Sequence, residues 1–175
     1  MKTLLSILIP VTPERISDAY KLYKNIESQT GTFTWENIER QHIGSETILS
    51  SRSNYTNEHE VEIIECCDNK ILTIGEKREK IYQMANGKFS WQIDSDDDIA
   101  DNAIELILNA IKSNPEIPCI TFRENCMMNG IYKSSNHSIK YEMWQDNFDG
   151  YDFVRCPFYK DVIRTDIAQS VPFEK

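Results

Sequence analysis

Leu4 to Ile9 is a nearly continuous apolar run, the pattern of a strand covered on both faces. Thr12-Pro13 offers an N-cap followed by proline at the first helical position. Ile16, Ala19, Tyr20, Tyr23 and Ile26 then recur at helical spacing, which predicts a helix to about Gln29. Residues 30 to 60 are polar and weakly patterned, an insertion to which the periodicity assigns no element. Val61 to Cys66 is a second strand, ending in Cys67-Asp68-Asn69. Thr73-Ile74-Gly75-Glu76 is a capping box that opens a helix through Met84 and Ala85, closed by Asn86-Gly87. Phe89 to Ile93 is a third strand. Ala103, Ile104, Ile107, Leu108 and Ile111 form the apolar face of the next helix, which Asn114-Pro115 stops. Cys119 to Phe122 reads as a fourth strand and Asn129-Gly130 as a hairpin turn. Further strands are expected around Ile139 to Met143 and Val154 to Phe158, and a short helix over Val162 to Ala168.

Strands alternating with helices imply an α/β fold with a largely parallel sheet, in one domain over residues 1–175. Ligands of such sheets sit beyond the carboxyl ends of the strands. Those ends carry Pro10 to Arg15, Asp68 and an aspartate run, three polar segments brought to one edge.

The run itself, Asp94-Ser95-Asp96-Asp97-Asp98, closes an apolar segment and opens an amphipathic one. Carboxylates so close repel one another unless a cation or a well-solvated loop relieves them. Mg²⁺ and Mn²⁺ are held by one or two carboxylates plus substrate phosphates. An extended backbone over Ile93 to Asp96 places Asp94 and Asp96 on one face. The bland alternative is a solvated loop in which Asp98 or Asp101 caps the following helix. A calcium loop is a rival, with Asp94, Asp96, Asp98 and Glu105 at its first, third, fifth and twelfth positions. Ile99 stands where that loop needs glycine, and a strand-like segment precedes it instead of a helix.

Composition narrows the partners. With 175 residues, 40% hydrophobic and 27% charged, the chain can bury a real core. A net charge of −9 argues against a nucleic-acid surface and against anionic lipid. Any polyphosphate must therefore be received locally, by a metal or by placed Lys and Arg. Five cysteines form no CxxC pair, which reads as reduced thiols in a cytoplasmic protein. The N-terminal apolar run is short, ends at Pro10 and has no cleavage site, so a buried strand is expected there instead of a signal peptide. No segment reaches transmembrane length. His42, His59 and His137 lack ligand spacing and read as surface residues. Lys77 and Arg78 are, by default, a solvated helix face, and Asp68 an Asx-turn residue. Trp91 reads as core, and Trp144 with Tyr141 and Tyr151 as a candidate acceptor platform.

Ser6-Ile7-Leu8-Ile9-Pro10 with Pro13-Glu14-Arg15, Val61-Glu62-Ile63-Ile64 with Asp68-Asn69, Thr73 to Arg78, and Ala85-Asn86-Gly87-Lys88-Phe89 leading to Ile93-Asp94-Ser95-Asp96-Asp97 occur in that order. Together they resemble a family 2 glycosyltransferase of the GT-A fold, over roughly residues 4 to 120. The resemblance implies a GT-A-like three-layer sandwich that binds a nucleotide-diphosphate-sugar donor with Mn²⁺ or Mg²⁺. It implies that Pro10, Val11 and Arg15 lie near the nucleotide, that Asp68 meets the base, and that Arg78 faces the diphosphate. Asp94 approaches the ribose, Ser95 also belongs to the donor-binding set, and Asp96 with Asp98 hold the metal. Transfer to an acceptor (a carbohydrate, a lipid-linked glycan or a protein) is then inverting.

Two departures shape the expectation for the acceptor part, residues 121–175. The family places a catalytic Glu-Asp pair after the segment matched by Val171-Pro172-Phe173-Glu174, and no such pair follows within the 175 residues. Val154 stands where the family often has His upstream of Cys156-Pro157. The expectation is a truncated transferase or a reduced relative, the alternative being a noncatalytic nucleotide-sugar-binding protein. The catalytic base is unassigned. Asp146, Asp149 and Asp152 are the carboxylates left for that role.

Overall fold

The computed structural model describes residues 3–43, 46–55 and 60–173. Strand β1 (Leu5–Val11) leads through a single 3-10 turn (Pro13–Arg15) into α1 (Ile16–Thr30). A long ribbon follows, β2 (Phe33–Ile43) and β3 (Glu46–Tyr55), then β4 (Val61–Cys67), α2 (Ile74–Gln83), β5 (Phe89–Gln92) and α3 (Ala103–Ser113). The remainder is β6 (Cys119–Ile120), β7 (Arg123–Met128), β8 (Ile131–His137), β9 (Gln145–Phe148), β10 (Tyr151–Arg155), β11 (Val162–Arg164) and α4 (Thr165–Ser170).

The strands form a seven-stranded sheet in the order β2-β3-β4-β1-β5-β11-β6 and a four-stranded sheet in the order β7-β8-β10-β9. β1 is parallel to both β4 and β5, with Val11 opposite Cys67 and Leu8 opposite Gln92. The expectation of a largely parallel sheet holds for this centre, and β10 is also parallel to β8 in the smaller sheet. β3 joins β4 antiparallel, and β11 runs antiparallel to both β5 and β6. The fold is mixed α/β.

β1 shows why its sequence is apolar throughout. Leu5, Ile7, Ile9 and Val11 pack with α1 and α3 residues such as Leu22, Ile26 and Ile107. Leu8 faces the other way, against Ile81 and Tyr82 of α2 and Ala168 of α4. Helices thus cover both faces, and a period of two sorts one strand between two cores. Among the described residues no helix is long and apolar enough to cross a membrane.

Local signals hold the frame. Thr73 Oγ1 accepts the Glu76 N–H while the Glu76 carboxylate accepts the Thr73 N–H, closing the capping box of α2. Asn129 and Gly130, with φ of 51° and 77°, make the tight turn between β7 and β8. Gly87 leaves α2 against the start of β1, where a Cβ would lie 2.6 Å from the Ser6 nitrogen. The buried Glu62 accepts from Ser6 Oγ at 2.6 Å and from the Asn86 N–H at 2.7 Å, and pairs with Arg52 of β3 at 2.9 Å. One carboxylate so ties the ribbon, β1 and the end of α2 together.

Several expectations are corrected. Residues 33–43 and 46–55 of the polar insertion are strands that extend the sheet beyond β4. α1 buries Ala19, Leu22 and Ile26, while Ile16 and Tyr20 are exposed. Ile139 to Met143 forms no strand; Ile139 and Met143 point to solvent. Val162 to Ala168 divides into β11 and the start of α4, the fourth strand shortens to Cys119–Ile120, and Val154 belongs to β10, which ends at Arg155. Neither Asp98 nor Asp101 caps α3, whose N-cap is Asn102. His137 is buried, not at the surface; His59 and Glu174 lie outside the described residues.

Candidate functional site

The parallel register of β1, β4 and β5 brings their carboxyl ends side by side, and the predicted donor residues follow from that. Pro10 and Val11 finish β1 as buried residues. The Val11 carbonyl accepts Lys77 Nζ at 2.9 Å, and the same ammonium contacts the Asp68 carboxylate. Both charges are buried, and the second Asp68 oxygen accepts the Leu72 N–H at 2.8 Å. Lys77 is therefore a buried strut between the ends of β1 and β4, contrary to its expected place on a solvated face. Asp68 lies beneath the open surface, and its side chain accepts from the N–H four residues on, a wider span than the Asx-turn with Asn69 that stood as the alternative to ligand contact.

Above this strut lies the aspartate run. The preceding segment, β5, is a strand and not a helix, so the helix-loop-helix frame of a calcium loop is absent. Asp96 is exposed and receives Arg15 at 2.7 Å. Asp94 accepts from Gln92 Nε2 at 3.2 Å and from the Tyr159 hydroxyl at 3.3 Å, with Arg78 at 3.8 Å. The Arg78 guanidinium lies 3.7 Å from the Tyr159 ring centre, a cation–π contact within the usual range. Asp97 folds back, accepting the Asp94 N–H at 3.2 Å and pairing with Lys160 at 2.8 Å. Ser95 is buried, while Asp98 is exposed.

Burial pushes the Asp97 carboxyl upward, and the Asp94 charge adds to this against the opposing pull of Lys160. Burial opposes the Lys160 charge, but the hydrogen bond to Asp97 together with the charges of Asp97 and Asp94 outweighs it and raises that ammonium. The Tyr159 hydroxyl is raised by burial and then by Asp94. The cluster thus alternates charge: Arg15 with Asp96, Arg78 with Asp94, Lys160 with Asp97. Among the described residues no three His, Cys, Asp or Glu side chains gather around one metal position.

Tyr159 and Lys160 were missed in the sequence because they reach the site from a turn far along the chain. The only local signal is an aromatic–basic pair in Phe158-Tyr159-Lys160-Asp161, just before β11. A cavity of 1050 Å³ opens beside the run. Asp96, Asp97 and Asp98 form one wall, and Leu106, Ile107 and Phe122 stand among its apolar lining. Of the predicted site residues only Asp96 and Asp98 border it.

The candidate acceptor platform loses Tyr141 to the interior, while Trp144 stays half exposed. Tyr141 is buried and its hydroxyl bonds Asp149, whereas Trp144 packs on Phe153 at 4.9 Å. The carboxylates of this region are engaged. Lys133 and the Ser134 N–H hold Asp152 down to about 2, Lys140 and Tyr141 lower Asp149, and Asp146 accepts the Trp144 indole at 2.6 Å. A carboxylate held so low is a weak base. Two thiols are equally quiet: burial raises Cys67, and likewise Cys126, to about 11.

No protein-family model, no curated protein and no solved structure matches this chain.

Proposed function

We propose that the chain is a family 2-like glycosyltransferase domain, a GT-A-type three-layer fold that takes a nucleotide-diphosphate-sugar donor with Mn²⁺ or Mg²⁺. One observation carries the reading. Arg15, Arg78 and Lys160 converge with Asp94 and Asp96 beyond the carboxyl ends of three parallel strands. That is where open α/β sheets receive nucleotides, and the alternating charges suit a diphosphate with a bridging cation.

The donor set fits a hard divalent cation. Asp96 and Asp98 offer exposed carboxylate oxygens, and Mg²⁺ commonly needs only one or two from the protein when phosphates supply the rest. Such an ion, when bound, stabilises the charge that develops on a departing nucleoside diphosphate. Arg15 and Arg78 would take phosphate oxygens in this reading, exchanging their present carboxylate partners for the ligand. Transfer is proposed to be inverting, onto a carbohydrate, a lipid-linked glycan or a protein.

The depressed Asp152 and Asp149 favour a narrower second reading, a nucleotide-sugar-binding module without turnover. Both readings share donor binding. A thermal-shift panel of the five common nucleoside diphosphates and their sugar conjugates, each with and without Mn²⁺, tests it. A rise in midpoint that requires nucleotide and metal together is the expected result. No rise with any nucleotide would remove both readings.

A further inference from the structure

β8 ends in Ser135-Asn136-His137, and the strand's alternation turns Ser135 and His137 to the same buried side. There they meet Asp161, which is also fully buried. Three polar side chains without solvent are costly unless every one is satisfied. They are. His137 Nδ1 lies 3.1 Å from Asp161 Oδ1, and Nε2 lies 3.2 Å from Ser135 Oγ and 3.5 Å from Glu124 on β7. A carboxylate on each side of one imidazole calls for N–H at both nitrogens, the doubly protonated ring.

Asp161 passes this anchorage on. Its other oxygen accepts the Phe158 N–H at 2.9 Å, and its own N–H donates to the Phe158 carbonyl at 3.0 Å. The Phe158 ring stands edge-on to His137, with centroids 4.7 Å apart. Residues 158 to 161 are thus a turn fastened at both ends. The two residues between the fastenings are Tyr159 and Lys160, which face Asp94, Asp97 and Arg78. The Lys160 carbonyl also accepts the Trp91 indole N–H at 3.0 Å.

We infer that His137 is a positioning residue for the nucleotide site. It touches no ligand, but by gripping Asp161 it sets the turn that presents Tyr159 and Lys160 to the aspartate run. This rests on the proposed nucleotide binding for its consequence, though not for its geometry. The charged groups facing His137 are Asp161 from the turn and Glu124 from β7; Lys160 acts on Glu124 from a distance.

The test is His137→Gln, which keeps an amide NH₂ as donor at one end, puts an acceptor oxygen at the other and loses the charge. UDP affinity in Mn²⁺ is measured by calorimetry, with the other four nucleoside diphosphates run alongside. The Trp91 indole N–H is followed by NMR as a ligand-independent reporter of the Lys160 carbonyl. Affinity is expected to weaken about tenfold, the size seen when outer partners of a site are removed. Between about pH 7 and about pH 9 the wild type should lose affinity more steeply than the variant. A folded variant with wild-type affinity and an unmoved Trp91 signal would overturn the inference. If the wild type binds no nucleotide, the functional reading falls, and the Trp91 signal still decides the positioning role. If the variant does not fold, the wild-type titration decides. The Trp91 signal must follow the ionisation of the His137 ring, and a Trp91 signal that ignores it contradicts the claim.

Discussion

Arg15 and Asp96, 81 residues apart in the chain, meet at 2.7 Å above the carboxyl ends of β1 and β5. Each side chain is 48% exposed, so the pair contributes at most about 1 kcal/mol to stability. Its meaning lies in competition. The guanidinium occupies a carboxylate proposed to take a cation, and the cation would release it toward the phosphates. Arg15→Ala should therefore leave the unfolding midpoint almost unchanged, strengthen binding of Mn²⁺ alone, and weaken binding of nucleotide. Calorimetry of metal and of nucleotide, titrated separately, checks the opposite signs.

Lys77 and Asp68 behave differently because both are buried. Removing one charge strands the other in the interior, at a cost of about 3–5 kcal/mol. Lys77→Met is expected to show that loss in urea unfolding. Lys77→Met combined with Asp68→Asn should recover much of it, because no orphaned charge remains. Equal losses in the single and double variants would show that the strut acts through packing instead.

At Gly87 the relevant quantity is space. A Cβ there meets the Ser6 nitrogen at 2.6 Å and the Leu5 carbonyl carbon at 2.8 Å, both of them backbone. Gly87→Ala should cost about 1–3 kcal/mol, the usual range for overpacking, with the higher end expected because backbone must move. The equilibrium unfolding midpoint measures it.

The buried His137 sets a pH window. Burial lowers its affinity for a proton, but the hydrogen bonds to Asp161 and Glu124 outweigh this and raise it to about 9. A histidine raised on folding stabilises fully below its unfolded value near 6.5, and that stability is lost as pH rises through about 9. The amount is on the order of 3 kcal/mol. Glu124 is lowered, chiefly by its hydrogen bond to His137, so its contribution is present above its ordinary value of 4.5 and disappears toward acid. Unfolding free energy measured against pH should therefore decline on both sides of neutrality. In His137→Gln the part of the alkaline decline that falls between about pH 6.5 and about pH 9 should vanish, while the decline at higher pH from the buried thiols and tyrosines stays.

The central fold was legible because its signals are local. The apolar run of β1, the Thr73–Glu76 box and the Asn129-Gly130 turn each need only neighbouring residues. The ribbon of β2 and β3 was not legible, since a polar two-stranded extension at a sheet edge has little apolar alternation to display. Ile139 and Met143 misled in the opposite direction, apolar residues left at the surface. At the site, the aspartate run and Arg15 declared themselves, but Tyr159 and Lys160 did not. Their place depends on β11 returning antiparallel to β5, a pairing with no counterpart in local sequence.

The most direct measurement is calorimetric titration of nucleoside diphosphates into the wild type and Asp96→Asn, each in Mn²⁺ and in chelator. Binding by the wild type in Mn²⁺ only is expected, with the variant folded but no longer responsive to metal. Equal nucleotide binding with and without metal, or normal metal-dependent binding by Asp96→Asn, would contradict it.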